Sequence, residues 1–305
     1  MRSVSRALRA SAVVLAVALA APLAPAAAHA AAGPAASAAG TTAPGRVLTV
    51  PGLVNARDIG GYPTYDGKTT KWGTVYRTET LSKLNADGVN ALAALGLGKV
   101  VDLRTTPEIQ ADGTDRLPAG VTPVARPVDD TSLFAFIGGV VRSKDPVHQQ
   151  AQLGNGAAEA RMTALYKGFV TNPANRAQLG AAIKDIAGST KPIAFHCSAG
   201  KDRTGVLADT VLRAVGVPAA TSEQDYLLSN SLRAASDKAL RDQVKAAGYM
   251  QNPDLLIPLQ EVRPAYLAAF RDQAVADYGS FGSFLTNGLG LSASDLLKLR
   301  SRTVS

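Results

Sequence analysis

Residues 192–205 read PIAFHCSAGKDRTG, and this stretch decides the fold of the chain. The apolar run 192–195 predicts a buried strand. A loop containing a glycine follows, and the residues from Arg203 to Val215 predict a helix that stops at Gly216. A strand, a loop and a helix in this order form one unit of an α/β fold.

The loop between Cys197 and Arg203 suits a phosphate ligand. The five residues that separate them let the loop curl so that its backbone N–H groups converge on one point. Converging amides at a helix N-terminus, together with the helix dipole, form an anion site. Arg203 can add bidentate contacts to two phosphate oxygens. The predicted phosphate-binding residues are Ser198, Ala199, Gly200, Lys201 and Thr204.

Cys197 is the only cysteine of the chain, and we predict that it is the nucleophile. The thiolate is the reactive form, and a helix N-terminus and neighbouring cations favour it. In-line attack on phosphorus gives a cysteinyl phosphate, which water then hydrolyses. Asp202 is the predicted group that protonates the leaving oxygen and deprotonates the attacking water. Thr204 is expected to bond the sulfur, Lys201 to add a cation at the rim, and His196 to orient the loop through its ring nitrogens.

Residues outside the loop supply further candidates. Asp102 follows a predicted buried strand, so it is a second candidate for the general acid, with Arg104 orienting it or the loop. The alternative for these two residues is a structural ion-pair network with Glu108. Arg57 and Asp58 are predicted either to brace the phosphate loop or to stabilise their own turn.

The rest of the chain alternates strands with helices. Strands are predicted over residues 47–54, 72–76, 99–103 and 122–128, and helices over 85–95, 157–170 and 174–187. Residues 129–156 are less regular, and residues 222–300 are mostly helical. This order predicts an α/β fold in which a mainly parallel central sheet is flanked by helices, with a helical C-terminal region. Residues 129–156 and the helices within 232–278 are candidates for a lid over a deep site.

The first 45 residues predict export. Three arginines, an apolar run and the motif Ala28-His29-Ala30 are typical of a signal peptide over residues 1–30. An uncleaved N-terminal anchor is the alternative. Residues 31–45 are almost all Ala, Gly, Pro, Ser and Thr, which predicts a flexible linker. A domain over residues 46–305 would then be secreted, without a membrane span after cleavage.

Composition excludes several other classes of protein. The formal net charge of +8 favours anionic ligands. No Lys/Arg run with interleaved aromatic residues is present, so nucleic-acid binding is not expected. One cysteine and few histidines argue against a structural zinc site. No metal or other cofactor is expected, because the arginine and the loop amides already balance the phosphoryl charge.

The loop HCSAGKDRTG resembles the signature of the protein tyrosine phosphatases and of the dual-specificity and lipid phosphatases. With Lys-Asp before the arginine, it looks most like the bacterial secreted tyrosine phosphatases of the mycobacterial PtpB and listerial LipA type. Motifs over most of residues 50–300 are also similar to that family: NARDIGG at 55–61, VYR at 75–77, VDLR at 101–104 with Glu108, DYL at 225–227, YGS at 278–280 and LGL at 289–291. The family often has an aromatic residue where this chain has Ala56, and the Trp-Pro-Asp loop of animal tyrosine phosphatases is missing.

The resemblance implies a cysteine phosphatase fold, with Cys197 as nucleophile, Arg203 as phosphate ligand and Asp202 as general acid. It also implies phosphotyrosine as substrate, with phosphoserine, phosphothreonine or phosphoinositides accepted by several members. A phosphorylated protein or a phosphoinositide is therefore the expected partner. Two classes remain as alternatives: a secreted module that binds phosphorylated ligands without turnover, and a sulfur transferase of the rhodanese type, which also uses a loop cysteine.

Overall fold

A computed structural model describes residues 45–305 of the chain. The predicted signal peptide (residues 1–30) and all but the last residue of the predicted linker (residues 31–45) lie outside the described residues. The described part forms five strands: β1 (Arg57–Asp58), β2 (Val75–Thr78), β3 (Lys99–Asp102), β4 (Thr122–Ala125) and β5 (Ile193–His196).

The helices surround these strands and make up most of the C-terminal half. They are α1 (Ala86–Ala93), α2 (Thr106–Asp112), α3 (Leu133–Arg142), α4 (Pro146–Leu153), α5 (Ala157–Thr171), α6 (Pro173–Gly188), α7 (Arg203–Ala214), α8 (Ala219–Ala246), α9 (Ile257–Gln260), α10 (Pro264–Tyr278), α11 (Phe281–Ser283) and α12 (Ala293–Thr303), with a 3-10 turn over Pro253–Leu256 and a π-helical turn over Phe284–Gly288. Within residues 45–305, no helix combines the length and the apolarity that a bilayer span requires.

The strands form one sheet in the order β1-β2-β5-β3-β4. Only β1 is antiparallel to its neighbour; the other pairs are parallel. The predicted α/β fold with a mainly parallel sheet and a helical C-terminal region is confirmed. His196 at the end of β5 pairs in register with Thr78 of β2 and Asp102 of β3. The carboxyl ends of three strands therefore meet at one edge, where sites of α/β proteins form.

The buried residues of β5 divide between two hydrophobic clusters. Ile193 and Phe195 pack into the larger cluster, which contains residues of α5, α6, α7 and α10. Ala194 points to the smaller cluster on the opposite face, with Leu92 of α1. This alternation follows from the two-residue period of a strand. It explains why a parallel strand that is covered on both sides appears in the sequence as a continuous apolar run.

The strand predicted over residues 47–54 is wrong. Only Val47 makes an isolated bridge, to Arg57. Pro51 has no N–H to donate, and Gly52 adopts φ +94°, so the chain turns there. Arg57–Asp58, which the sequence suggested as part of a turn, pairs with β2 instead.

Residues 129–156 are more regular than predicted, because they contain α3 and α4. Asp145 caps α4 by accepting hydrogen bonds from Val147 N at 2.9 Å and His148 N at 3.2 Å. The strand predicted over residues 72–76 begins only at Val75, because Gly73 adopts φ +68°. The irregular composition of this segment thus concealed two short helices, of which α4 has a side-chain cap.

Candidate active site

The loop between β5 and α7 has its carbonyl groups bound from outside. The donors are Asn55 Nδ2 to Ala199 O and Gly200 O (3.1 Å each), Thr80 N to Ser198 O (3.1 Å), Arg77 Nη2 to Gly200 O (3.0 Å) and Arg233 Nη1 to Ala199 O (3.2 Å). In a trans peptide unit the N–H points away from the C=O. The amides of Ala199, Gly200 and Lys201 therefore face the inner side of the loop. None of these three amides donates to another residue within 45–305, so they remain available to a ligand.

Gly200 allows the loop to lie against β2. Its φ is +67°, and a Cβ built on it would lie 2.4 Å from Thr78 O and 2.6 Å from Glu79 N. Both contacts are to main-chain atoms, which cannot move aside as a side chain can. A glycine is therefore required at this position for both conformation and space.

Glu108 of α2 holds the guanidinium of Arg203. Arg203 Nη1 donates to Glu108 Oε2 at 2.7 Å and to Val128 O at 3.1 Å, and its Nη2 donates to Glu108 Oε1. Ser198 Oγ donates to the same carboxylate at 2.8 Å. Burial alone would raise the pKa of Glu108, but the hydrogen bonds and charge of Arg203 lower it to about 2. Burial alone would lower the pKa of Arg203, but Glu108 and the neighbouring Cys197 raise it.

Cys197 is buried where β5 ends, with 2% of its surface exposed. Thr204 Oγ1 at the start of α7 is buried and has no hydrogen-bond partner among residues 45–305, so it is free to bond the sulfur or a ligand. His196 is fully buried, with Nδ1 3.1 Å from Cys197 O and Nε2 2.8 Å from Asp115 Oδ2. The histidine thus lies where an orienting role for the loop requires it.

Arg104 lies in an ion-pair network, but its partners differ from the expected one. Arg104 Nη2 donates to Asp102 Oδ2 at 2.8 Å and to Asp115 Oδ1 at 2.9 Å. The expected pair of Arg104 with Glu108 is wrong, because Glu108 binds Arg203 instead. Asp102 is thus bound to Arg104 and is linked through it to Asp115.

Lys201 and Asp202 form a pair that is largely buried. Lys201 Nζ lies 3.0 Å from Asp202 Oδ1 and 2.8 Å from Oδ2. Tyr166 OH donates to Asp202 Oδ1 at 2.8 Å and lies 2.7 Å from Tyr226 OH. Lys201 is only 5% exposed, so the expectation of a free cation at the rim is wrong. Burial and the charge of Asp202 raise the pKa of Tyr166 well above its ordinary value, which keeps this phenol a donor.

Arg57 and Asp58 have different roles in the structure. Arg57 donates to Asn55 Oδ1 at 2.6 Å and to Asp225 Oδ1 at 3.0 Å, and Asn55 binds two loop carbonyls. Burial alone would raise the pKa of Asp225, but Arg57 and Arg77 hold it well below its usual range. Asp58 instead accepts the amides of residues 60 and 73 at 2.7 Å each. Arg57 therefore supports the loop through Asn55, and Asp58 stabilises its own turn.

Asp130 is a further buried carboxyl group next to the site. It lies two residues after Val128, whose carbonyl oxygen accepts a hydrogen bond from Arg203. Asp130 Oδ2 accepts a hydrogen bond from Phe134 N at 2.8 Å. Burial raises the pKa of Asp130, although the charge of Arg203 opposes this. Thr131, directly after it, has φ +53°, an uncommon conformation for a non-glycine residue.

A groove of about 530 Å³ opens next to the loop. Ser198 and Ala199 line one side of it, Phe134 of α3 lies at one wall, and α8 contributes Arg233 and Leu240. Phe134 and Leu240 are 40% and 48% exposed, so two apolar side chains are accessible in a lining that also contains Glu79, Lys83 and Asp237.

Several residues of the site were not singled out from the sequence. Asp115 and Asp130 carry no local signal, because each lies in a short segment without periodicity and reaches the site only through the fold. Asn55 and Asp225 stood within motifs that resemble the tyrosine phosphatases, and that resemblance was the one signal for them. Tyr166 reads as an ordinary core residue of an amphipathic helix.

Comparison with known proteins agrees with this geometry. The sequence profile described as the tyrosine phosphatase family matches residues 48–305. The triple specificity protein phosphatase PtpB of Mycobacterium tuberculosis is 29% identical over 275 residues, which cover 83% of this chain and 98% of the relative. A protein of Cupriavidus necator assigned to the tyrosine-protein phosphatases is 31% identical over 251 residues, or 80% of this chain and 84% of the relative. A tyrosine-protein phosphatase of Nostoc commune is 32% identical over 155 residues, about half of each chain.

Proposed function

Because this chain belongs to the tyrosine phosphatase family, we propose that it hydrolyses phosphotyrosine monoesters through a covalent phosphate on Cys197. The observation that carries the proposal is the loop itself. Three inward-facing amides that donate to no other residue within 45–305 lie between the thiol and an arginine that Glu108 holds in place. Amide donors and a guanidinium arranged in this way bind a tetrahedral dianion and stabilise charge that develops during its transfer.

In the first proposed step, Cys197 Sγ forms a bond to phosphorus while the bond from phosphorus to the tyrosine oxygen breaks. The proton that the leaving oxygen needs comes from Asp202. In the second step, a water oxygen forms a bond to phosphorus, Asp202 accepts the proton of that water, and the S–P bond breaks. Thr204 Oγ1, which has no partner among the described residues, donates to the departing thiolate. The products are tyrosine, inorganic phosphate and the original thiolate.

The pairing of Asp202 with Lys201 bears most directly on the second step. Lys201 Nζ lies 2.8 Å from Asp202 Oδ2, and an ionised carboxylate is the form of the group that accepts a proton from water. For the first step the carboxyl group of Asp202 must hold a proton. Some of the hydrogen bonds that Tyr166 and Lys201 donate to this group must then rearrange.

The range of substrates is a second part of the proposal. The Mycobacterium tuberculosis relative is named a triple specificity phosphatase, and we propose phosphotyrosine as the main substrate here with phosphoinositides as the alternative. The exposed apolar side chains of Phe134 and Leu240 in the groove beside the loop favour an aromatic phosphate ester, because an aromatic ring can pack against them. The buried position of Lys201 removes one of the arguments for a substrate with several phosphates.

We also propose that the enzyme is secreted. The basic, apolar and small-residue regions of residues 1–30 support export. The test is N-terminal sequencing of protein recovered from the medium of an expressing bacterium. A mature chain that begins near residue 31 is expected, and a full-length chain retained in the cell would contradict secretion.

The test of the activity is steady-state hydrolysis by the purified protein beside a Cys197→Ser control, without added metal. A phosphotyrosine peptide, phosphoserine and phosphothreonine peptides and a phosphoinositide panel are assayed together. We expect turnover that is highest with phosphotyrosine and lost in the serine variant, and a phosphoenzyme trapped by acid quench. Tight binding of phosphotyrosine without any turnover would identify a recognition module instead.

A further inference from the structure

The side chain of Asp202 does not cap the helix that follows it. Asp202 occupies the N-cap position of α7, where an aspartate ordinarily accepts a hydrogen bond from an amide of the first turn. No such bond is present among the described residues. Asp202 Oδ1 instead accepts from Tyr166 OH at 2.8 Å, and Lys201 Nζ lies 3.0 Å from Oδ1 and 2.8 Å from Oδ2. Contacts from α5 and from the loop, and not from α7, therefore direct this carboxylate.

The hydroxyl groups of Tyr226 and Tyr166 form a directional chain that ends at Asp202. The two hydroxyl oxygens lie 2.7 Å apart. A phenol has one proton to donate, and its oxygen can also accept. Because the proton of Tyr166 goes to Asp202, the oxygen of Tyr166 accepts from Tyr226, and each bond of the chain polarises the next. Burial and the charge of Asp202 raise the pKa of Tyr166 well above its ordinary value, so this phenol keeps its proton.

The ring of Tyr166 is held on several sides. It is fully buried, and its centroid lies 5.5 Å from that of Phe169, 5.8 Å from that of Tyr266 and 6.3 Å from that of Tyr226. A close-packed interior leaves such a ring little room to move. The ammonium group of Lys201, in contrast, stands at the end of a flexible four-carbon chain. Of the two donors to Asp202, Tyr166 is therefore the one that fixes a position.

The two oxygens of Asp202 differ in how many donors they have. Each carboxylate oxygen offers about two lone pairs. Within residues 45–305, Oδ1 accepts from Tyr166 and Lys201, whereas Oδ2 has Lys201 as its one donor and keeps a lone pair for a proton. A protonated carboxyl group still accepts at its other oxygen. The bond from Tyr166 to Oδ1 can therefore persist when Oδ2 is protonated, and the contact of Lys201 with Oδ2 is the one that gives way.

We propose that Tyr166 is a positioning residue that holds Oδ1 of Asp202, so that the other oxygen, Oδ2, carries the proton to the leaving group and from the water. The proposal rests on the proposed function, in which Asp202 is the general acid and base. In the first step the O–H bond at Oδ2 breaks and the proton passes to the tyrosine oxygen of the substrate. In the second step Oδ2 takes the proton of the attacking water. Tyr166 keeps its own proton in both steps and acts only through Asp202.

Tyr166→Phe removes the hydroxyl group and keeps the ring. With a phosphotyrosine peptide we expect kcat to fall about tenfold, the order of one hydrogen bond to a charged group, while KM stays the same. The loss should be smaller with p-nitrophenyl phosphate, whose leaving group needs no proton. Tyr266→Phe is the matched control, because its ring packs against that of Tyr166 but its hydroxyl donates to Pro258 O at 3.1 Å. This control should keep the kcat of the unmodified protein with both substrates.

The dependence on Asp202 is measured by combining Tyr166→Phe with Asp202→Asn. If Tyr166 acts through the carboxylate, its effect disappears once the carboxylate is absent. The double variant is then expected to have a kcat within about twofold of that of Asp202→Asn alone. A loss of about tenfold in both backgrounds would identify a role in packing and overturn the proposal.

The choice of oxygen is measured by a crystal structure of the unmodified protein with vanadate, whose apical oxygen takes the place of the leaving oxygen. We expect that oxygen within about 3.2 Å of the Asp202 oxygen that Tyr166 does not bind. Contact of the apical oxygen with the oxygen that Tyr166 binds would overturn the proposal. So would a Tyr166 hydroxyl that no longer reaches Asp202. This measurement needs no variant, so it decides the question even if Tyr166→Phe does not fold.

Failure of the proposed function would give a different pattern. An Asp202→Asn variant that keeps the kcat and the leaving-group dependence of the unmodified protein would remove the acid role from Asp202, and with it the proposed role of Tyr166. Full activity of a cooperatively melting Tyr166→Phe beside an impaired Asp202→Asn would contradict the positioning role alone and leave the proposed function in place.

Discussion

At the scale of single residues, the site depends on how Glu108 places Arg203. A guanidinium is planar, and two parallel hydrogen bonds to a carboxylate fix its orientation as well as its position. Ser198 and Val128 O bind the same pair, so the arginine has little freedom left. Arg203 therefore loses little further conformational freedom when phosphate binds. More of the free energy of its contact with phosphate is then available to stabilise the transition state.

Glu108→Gln is expected to lower kcat/KM by about a hundredfold, because a misplaced guanidinium loses its alignment with the transferred phosphoryl group. The check is steady-state kinetics with a phosphotyrosine peptide. Glu159→Gln is the control, since Glu159 pairs with Arg263 at the surface and is 39% exposed at its side chain. If kcat/KM of Glu108→Gln stays within about threefold of that of the unmodified protein, the pair does not position Arg203.

Asp202→Asn is expected to lower kcat by about 10²–10⁴-fold for substrates with poor leaving groups, the usual contribution of a general acid. The loss should be smaller for p-nitrophenyl phosphate, whose leaving group needs no proton. The measurement is the slope of log kcat against leaving-group basicity. Asp130→Asn is the comparison, because Asp130 is a further buried carboxyl group on which the charge of Arg203 acts. A steeper slope in Asp130→Asn alone would transfer the acid role to that residue.

Residues adjacent in sequence were predictable, and those joined only by the fold were not. Cys197, Asp202 and Arg203 belong to one loop, so their spacing alone brought them together. Asp115 reaches His196 across 81 positions of sequence, and nothing near it in the chain marks it. The expected partner of Arg104 was wrong for the same reason, because pairing of buried charges is decided by three-dimensional neighbours.

At the scale of elements, the site is the meeting point of three parallel strands and two helices. The ends of β2, β3 and β5 are in register, and α2 and α7 begin beside them. The apolar strands β3 and β5 were predictable because burial on both faces leaves a continuous hydrophobic run. The two-residue strand β1 was not, since it has no period long enough to detect.

The approach of the loop to β2 is tested by Gly200→Ala. A Cβ would meet main-chain atoms at 2.4 Å and 2.6 Å, so the loop must shift and the amides lose their convergence. Gly96→Ala is a matched control, because Gly96 has φ +62° but nothing within 4 Å of a built Cβ. We expect Gly96→Ala to lower the free energy of unfolding by about 1–2 kcal/mol and to retain activity. Gly200→Ala should lose more stability and most activity, and equal behaviour of the two variants would contradict the steric argument.

The lid is a prediction at the same scale. The groove beside the loop lies between Phe134 of α3 and Leu240 of α8, within the two segments that the sequence suggested. A bound phosphate analogue is expected to protect one of these segments from limited proteolysis, with tungstate as the probe and mass spectrometry of the fragments as the measurement. Cleavage at the same sites and rates with and without tungstate would argue against a lid.

At the scale of the whole molecule, buried ion pairs connect the site to the core. Arg57, Arg77 and Asp225 join β1 and β2 to α8, and Glu108 with Arg203 joins α2 to α7. Breaking such a pair leaves an uncompensated buried charge, which destabilises a protein by about 3–5 kcal/mol. The residues that prepare the loop for phosphate are therefore also residues on which the fold depends.

The stability of the protein should consequently depend on pH on the acid side. The pKa of Glu108 is lowered from 4.5 to about 2, and that of Asp225 is also lowered. Because the unfolded chain binds protons more readily than the native state, stability is fully present above about pH 4.5 and is lost as pH falls towards about 2. Asp115 and Asp102 raise the pKa of His196, although burial opposes this. The stability that His196 contributes is therefore fully present below the pKa of free histidine and is lost as pH rises through the raised pKa of the native state. Chemical denaturation between pH 2.5 and 8 measures both slopes. Glu108→Gln should be less stable at pH 7 but show a shallower loss between pH 4.5 and 2.5, and a parent protein equally stable at pH 7 and pH 2.5 would contradict the role of these carboxylates.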